Sequence, residues 1–189
     1  MEEGTGIYIS TMKKEDIPFL VDLWYKLDVM RYADEFPKLR GWTKCTDKEK
    51  AWKKYESKRL LHGNDYTQLI IRRKDYTKIG ESFYAPLDEE YSFYGWNKPK
   101  DKKVLMGDIK LLPQYWNKGI GTEGMRKVVV FAFQNTDCDF FVVPPHKKNI
   151  AAKRVYEKAG FVVLEDVDNS CDYILMKLDR KEYNRLYKD

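Results

Sequence analysis

Tyr115-Trp116-Asn117-Lys118-Gly119-Ile120-Gly121-Thr122 lies between two strongly patterned stretches. Before it, Lys103 to Leu112 is an apolar, strand-like run. After it, Gly121 to Phe133 puts Met125, Val128, Val129 and Ala132 on one helical face. Two glycines at the mouth of a helix let a phosphate approach the backbone closely. The first-turn amides have no partner within the helix, and the helix dipole favours negative charge there. The segment therefore reads as an anion cradle. It lacks the Gly-x4-Gly-Lys-Ser/Thr of a Walker loop and the Gly-x-Gly-x-x-Gly of a dinucleotide fingerprint. By itself, such a Gly-x-Gly also fits an ordinary tight turn.

Downstream of the cradle, Phe140-Phe141-Val142-Val143 is a wholly apolar run stopped by Pro144 and Pro145, as expected of a strand buried between others. Asn149 to Ala159 is a helix with Asn149 as N-cap and Gly160 at its end. Its buried stripe is Ala152, Val155 and Ala159. Phe161 to Glu165 and Tyr173 to Leu178 are the last expected strands. Upstream, Ile7 to Met12 reads as a strand. Asp16 then caps a helix carrying Phe19, Leu20, Leu23 and Leu27, and Thr46 or Asp47 caps a second helix to about Leu61. Tyr66 to Arg73 and Lys78 to Ala85 pair as strands across the turn at 74–77. Residues 86 to 102 read as a long loop. The order is strand, two helices, three strands, helix, strand, helix, two strands, and one domain over 1–189 is expected.

Composition bounds the function. The chain is 43% hydrophobic and 34% charged, which supports a packed core under a solvated surface. Its net charge of +5 is mild, and the bases are interleaved with acids, so no nucleic-acid stripe forms. No apolar run approaches a membrane span. Met1-Glu2-Glu3-Gly4 leads into no signal-peptide core, so a cytoplasmic protein is expected. Cys45, Cys138 and Cys171 show no metal-ligand spacing and read as reduced thiols.

Two stretches taken together say more. The loop Trp116-Asn117-Lys118-Gly119-Ile120-Gly121 is followed, after one helix and one strand, by Asn149-Ile150-Ala151-Ala152-Lys153-Arg154-Val155-Tyr156-Glu157-Lys158-Ala159-Gly160-Phe161. In both motifs, in their spacing and in their order the chain resembles the GNAT superfamily of acetyltransferases. Trp116 stands where that family most often has Gln or Arg. The resemblance implies an α/β (α+β) fold, with a mixed, mostly antiparallel central sheet, a parallel splayed strand pair and helices on both faces. It implies acetyl-coenzyme A as cofactor, held by Leu111, Leu112, Trp116, Asn117, Lys118, Gly119, Ile120, Gly121, Thr122, Asn149, Ala152, Tyr156 and Lys158. The pyrophosphate is expected on the amides of 117–122 and the pantetheine arm in the gap between strands four and five. Asn149 would bond that arm or serve only as a cap. Lys147 and Lys148 would meet the 3′-phosphate or remain solvated surface.

The same resemblance implies that the Tyr156 hydroxyl reaches the thioester sulfur. A phenol can protonate a departing thiolate, and a packed aromatic is the alternative. A base must also take the proton of the accepting amine. Asp108, within Leu105-Met106-Gly107-Asp108-Ile109-Lys110-Leu111-Leu112, is the candidate. A carboxylate in so apolar a run pairs either with Lys110 or with a substrate amine. Glu81 is the reserve. Residues 108 to 161 more narrowly resemble aminoglycoside 6′-N-acetyltransferases, in which an Asp at a similar distance before the glycine loop contacts the amine. The expected acceptor is therefore a small cationic amine, aminoglycoside-like or polyamine-like, with antibiotic resistance an open role. The acidic run Asp88-Glu89-Glu90 among Tyr84, Tyr91, Phe93, Tyr94 and Trp96 would gather it, or is a plain exposed loop. A protein amino-group acetyltransferase and a non-catalytic acyl-coenzyme A-binding module are the other readings. The chain is expected as a monomer or homodimer.

Overall fold

The computed structural model describes residues 6–33, 42, 47–87, 96, 98–164 and 172–188. Seven strands form one sheet in the order β1-β2-β3-β4-β5-β7-β6. They are β1 (Ile7–Thr11), β2 (Thr67–Arg73), β3 (Lys78–Pro86), β4 (Val104–Leu111), β5 (Phe140–Val143), β6 (Val162–Val163) and β7 (Met176–Asp179). Every pairing is antiparallel except β4 with β5, which is parallel.

Alternation along the strands sends side chains to two faces, and helices cover both. On one face α1 (Ile17–Trp24) and α3 (Lys48–His62) pack Ile17, Leu20, Ala51 and Tyr55 around Ile70 of β2. On the other, Leu69, Leu105 and Phe141 meet Met125, Val128, Val129 and Ala132 of α4 (Ile120–Asn135). Tyr156 of α5 (Ile150–Lys158) and Tyr183 of α6 (Arg180–Tyr187) join that larger cluster. Asp47 caps α3 as its sequence suggests, accepting from the Glu49 and Lys50 amides.

Three expectations need correction. Asp16 makes no side-chain cap for α1. It closes the preceding turn on the Lys13 amide and is buried against Arg72 and Lys78, each at 2.7 Å. Leu27 does not extend the buried stripe of α1. The helix ends at Trp24, and Leu27 opens the short α2 (Leu27–Met30) with its side chain 79% exposed. The chain does not finish on strands: α6 follows β7, capped by Asp179 on the Glu182 amide. Tyr183 and Tyr187 make its inner face, and Tyr183 stacks on Phe133 at 4.4 Å. Arg180 donates to the carbonyls of Phe133, Thr136 and Cys138, satisfying the otherwise orphaned end of α4. The last strands are also shorter than expected, and Tyr173 makes only an isolated bridge to His146. Cys138 is buried and free, whereas Cys45 and Cys171 lie outside the described residues.

Burial pushes the Asp16 carboxyl up, but Lys78, the Lys13 amide and Arg72 outweigh it and hold the group below its ordinary value. A depressed carboxylate contributes stability that is complete above its unfolded pKa and is lost as pH falls through the folded one. Asp16→Asn should therefore cost about 2 to 4 kcal/mol at pH 6, because it leaves two cations facing each other. Denaturant melts across pH should show the gap to the parent closing below about pH 4. A gap independent of pH would mean that packing, and not charge, sets the effect.

Candidate active site

Strands β4 and β5 pair only at Val104↔Phe140, Leu105↔Phe141 and Met106↔Val142. Beyond that point β5 runs into Pro144 and Pro145, while β4 continues to Leu111 with β3 as its partner. A proline ends a strand because it has no N–H to pair. The β4 edge from Gly107 onward thus faces a gap, which Tyr156 borders from α5, with the charge of Asp108 close enough to act on its hydroxyl.

Tyr156 enters from α5. It is 3% exposed, its ring lies edge-on to Phe161 at 5.7 Å, and its hydroxyl lies near the Ile109 backbone amide. Burial, and then the negative charge of Asp108, push its pKa far above the ordinary phenol value, so the hydroxyl keeps its proton.

Asp108 lies on the opposite strand of the gap, and the structure shows its intrachain partner. Residues two apart on a strand share a face, and Asp108 Oδ2 accepts a hydrogen bond from Lys110 Nζ. Glu81 stands directly across from Lys110 in the β3–β4 register and lies 3.3 Å from the same ammonium. Asp108 Oδ1 is buried and has no hydrogen-bond partner among the described residues. An acceptor atom left so is costly unless a ligand or water serves it.

Glu81 is built differently. It is fully buried and accepts from Trp24 Nε1 at 2.8 Å and from Gln68 Nε2. Burial pushes its pKa up, Lys110 opposes this, and Asp108 adds to it. With three donors around it, Glu81 anchors the ammonium and has no approach for an acceptor. The Lys110 ammonium lies over the Trp24 ring, 4.3 Å from its centre, so α1 roofs the network. Burial alone would lower the pKa of Lys110, but the two carboxylates raise it and keep it cationic.

The glycine loop closes the other end of the gap. Gly119 is the N-cap of α4 at φ 73°, with no side chain to bond the first-turn amides. A Cβ there would meet nothing within 4 Å, so the space in front of those amides is open. Asn117, also at positive φ (57°), and Lys118 are exposed beside it. Gly121 has a second reason to be glycine: a Cβ would come within 3.2 Å of Val155, so it sets the approach of α4 to α5. Trp116 donates its indole N–H to the Leu111 carbonyl at 2.8 Å and pins the loop back onto β4. Leu112 donates to the Ile79 carbonyl. Asn149 does act as a cap, its Oδ1 accepting from the Ala152 amide, which leaves its NH2 as the donor for a ligand. Lys148 and Lys158 are exposed, and the Lys158 carbonyl is tied to Arg126. The acidic-aromatic run at 88–94 lies outside the described residues.

One group was not legible in the sequence. Arg31 lies over Tyr32 and Trp116, at 4.8 and 5.7 Å from the ring centres, and Tyr32 stacks on His146 at 5.3 Å. Tyr173 donates to the Tyr32 carbonyl. The segment after α2 therefore touches residues that follow both β4 and β5. Nothing in the local sequence of Arg31 and Tyr32 marks this, because the contacts span 85 to 141 positions.

Comparison with known proteins agrees with this architecture. The sequence model of the acetyltransferase (GNAT) domain matches residues 7–162. Among solved structures, the aminoglycoside acetyltransferase AAC(6')-Ib in complex with coenzyme A and kanamycin is 18% identical. It superposes with a TM-score of 0.68, over 95% of this chain and 98% of that one. The spermidine N-acetyltransferase from Vibrio cholerae in complex with coenzyme A and spermine is 16% identical, with a TM-score of 0.67 over 95% and 99%. At such identities the likeness is one of fold, and the domain match carries the assignment. The chain belongs to the GNAT acetyltransferase family and is an acetyl-coenzyme A-dependent N-acetyltransferase.

Proposed function

We propose that the chain acetylates a primary amine of a small cationic acceptor, aminoglycoside-like or polyamine-like, with Asp108 receiving the amine and Tyr156 as proton donor. The observation that carries this is the pairing of a buried, partnerless carboxylate oxygen with a protonated buried phenol across one strand gap. A carboxylate oxygen without a donor suits an ammonium, which brings its own.

The gap, the open Gly119 turn and the uncapped amides of α4 fit the cofactor. Asn117 to Thr122 would hold its pyrophosphate, and the β4 edge leading up to Leu111 and the Asn149 amide would hold its arm. The Leu111 carbonyl and the Leu112 N–H are already taken by Trp116 and Ile79, so Leu112 would line the arm by side-chain contact. When bound, acetyl-coenzyme A supplies the acetyl group as an activated thioester. This chain's residues do the rest. Asp108 orients the ammonium and accepts its proton, because a protonated amine has no lone pair for attack. Tyr156 holds a proton at its hydroxyl, ready for a leaving thiolate. Direct transfer follows, without an acyl-enzyme. Residues 1–189 serve as one domain in this reading, because α1 of the N-terminal half roofs the same network that β4 carries.

Acetyl-coenzyme A at ~100 times its dissociation constant should stabilise the protein by about 2.7 kcal/mol, read as a rise in Tm. Gly119→Val should abolish that rise. Its Cβ meets no protein atom, so beyond a strain of about 1 to 2 kcal/mol at positive φ, what it obstructs is the ligand. An undiminished rise in this variant would move the phosphates elsewhere.

With spermine or kanamycin as acceptor, Tyr156→Phe should lower kcat by about 10² to 10⁴ while leaving the cofactor-induced rise in Tm unchanged. Since the phenol keeps its proton well into alkaline pH, the variant's pH–rate profile should have the parent's shape. Asp108→Asn should raise the acceptor KM and depress the rate most where the acceptor is an ammonium, with partial recovery at high pH. A pH–rate profile of all three forms checks both residues. An Asp108→Asn enzyme that is less stable but kinetically normal would make the carboxylate a structural partner of Lys110.

A further inference from the structure

The ammonium of Lys110 serves two carboxylates of unequal freedom. Glu81 is immobile, held by Trp24 and Gln68 and wholly enclosed. Asp108 is held by Lys110 alone among the described side chains, through Oδ2, and its side chain is 32% exposed. The Lys110 ammonium also lies over the Trp24 ring, 4.3 Å from its centre. Lys110 is thus tethered on its Glu81 side and reaches Asp108 as a primary ammonium, the same chemical group that the acceptor presents.

We propose that Lys110 is a positioning and specificity-determining residue: it fixes the Asp108 carboxylate through Oδ2, so that Oδ1 is left for the acceptor, and it competes with the acceptor's ammonium for that carboxylate. This rests on the reading that Asp108 meets the amine. Two opposed effects follow from one contact. Orientation of the carboxylate favours turnover. Partial neutralisation of its charge weakens the hold on a cationic acceptor, so the site releases its substrate more readily than a bare carboxylate would. The charged and titratable groups facing Asp108 are Lys110 on its own strand, Glu81 on β3 and Tyr156 on α5. Of these only Lys110 is cationic.

Steady-state kinetics with acetyl-coenzyme A and spermine separate these effects. Lys110→Met keeps an unbranched side chain of similar length and removes the charge, together with its contacts to Trp24, Glu81 and Asp108. It should lower the spermine KM roughly three- to fivefold, the worth of a partly screened ion pair, while lowering kcat. Lys110→Arg should restore a parent-like KM. In the Asp108→Asn background, Lys110→Met should change neither parameter, since the coupling runs through that carboxylate. Loss of Lys110 also leaves Glu81 buried without its cation, so Glu81→Gln/Lys110→Met is the companion variant. It should recover the melting temperature and keep the opposed shifts in KM and kcat. A KM that rises in both Met variants, or an equal effect of Lys110→Met with and without Asp108, overturns the proposal. A kinetically silent Asp108→Asn overturns the proposed function and this inference with it. A costly Asp108→Asn beside an inert Lys110→Met overturns the inference alone.

Discussion

After Met106 and Val142, β4 and β5 share no further backbone pair, and the site depends on that parting. Unpaired backbone groups inside a protein are costly, so a strand edge left open next to a core must be served by something else. Here the Trp116 indole takes the Leu111 carbonyl, the Tyr156 hydroxyl lies near the Ile109 amide, and the proposed cofactor arm would serve the rest of the edge. The double proline after β5 enforces the divergence, and the α4 N-terminus lies at its open end. In the proposed mode the cofactor's anionic and amide-bearing parts would find complementary groups supplied by backbone geometry more than by particular side chains. Trp116, which stands where the family usually has Gln or Arg, secures the loop through the Leu111 carbonyl, and on this proposal the amides would do the binding.

The electrostatics of the face opposite α4 follow from a register. Glu81 and Lys110 are cross-strand partners, and Asp108 is one step of the pleat away. Such a cluster can persist in a nearly dry environment only if each charge is hydrogen-bonded, and Trp24, Gln68 and Lys110 meet that condition for Glu81. It is not met for Asp108 Oδ1. Two carboxylates and one ammonium leave room for one more cation, and the proposed preference for a positively charged amine rests on that count. The same network binds α1 to the sheet, so the proposed acceptor recognition would share residues with the stability of the N-terminal half.

Much of this could be read from sequence because it is local. The αL turn at Gly119, the caps at Asp47 and Asn149, the apolar run of β5 and the alternation in β4 are short-range patterns with specific physical causes. What escaped was long-range or weak. The C-terminal α6 has eight residues and little more than Tyr183 and Tyr187 as an inner face, too little periodicity to mark a helix after the last expected strand. Asp16 reads as a cap by position, yet Arg72 and Lys78, more than fifty residues away, claim its carboxylate. At Asp108 the pairing with Lys110 is seen, through one oxygen, while the other is buried without a partner among the described residues. Glu81 reads as a second base until its burial and its three donors are seen. Arg31 and Tyr32 carry no local signature at all.

The account's central claim is that a cationic small-molecule amine is the acceptor. The most direct test is thiol release from acetyl-coenzyme A over a panel of polyamines, aminoglycosides, amino acids and peptides, each at equal concentration. The account predicts turnover confined to members that carry at least two ammonium groups, with kcat/KM falling as salt rises, because a charged pair steers and holds the acceptor. Turnover restricted to peptides or to singly charged amines, without dependence on salt, would contradict it.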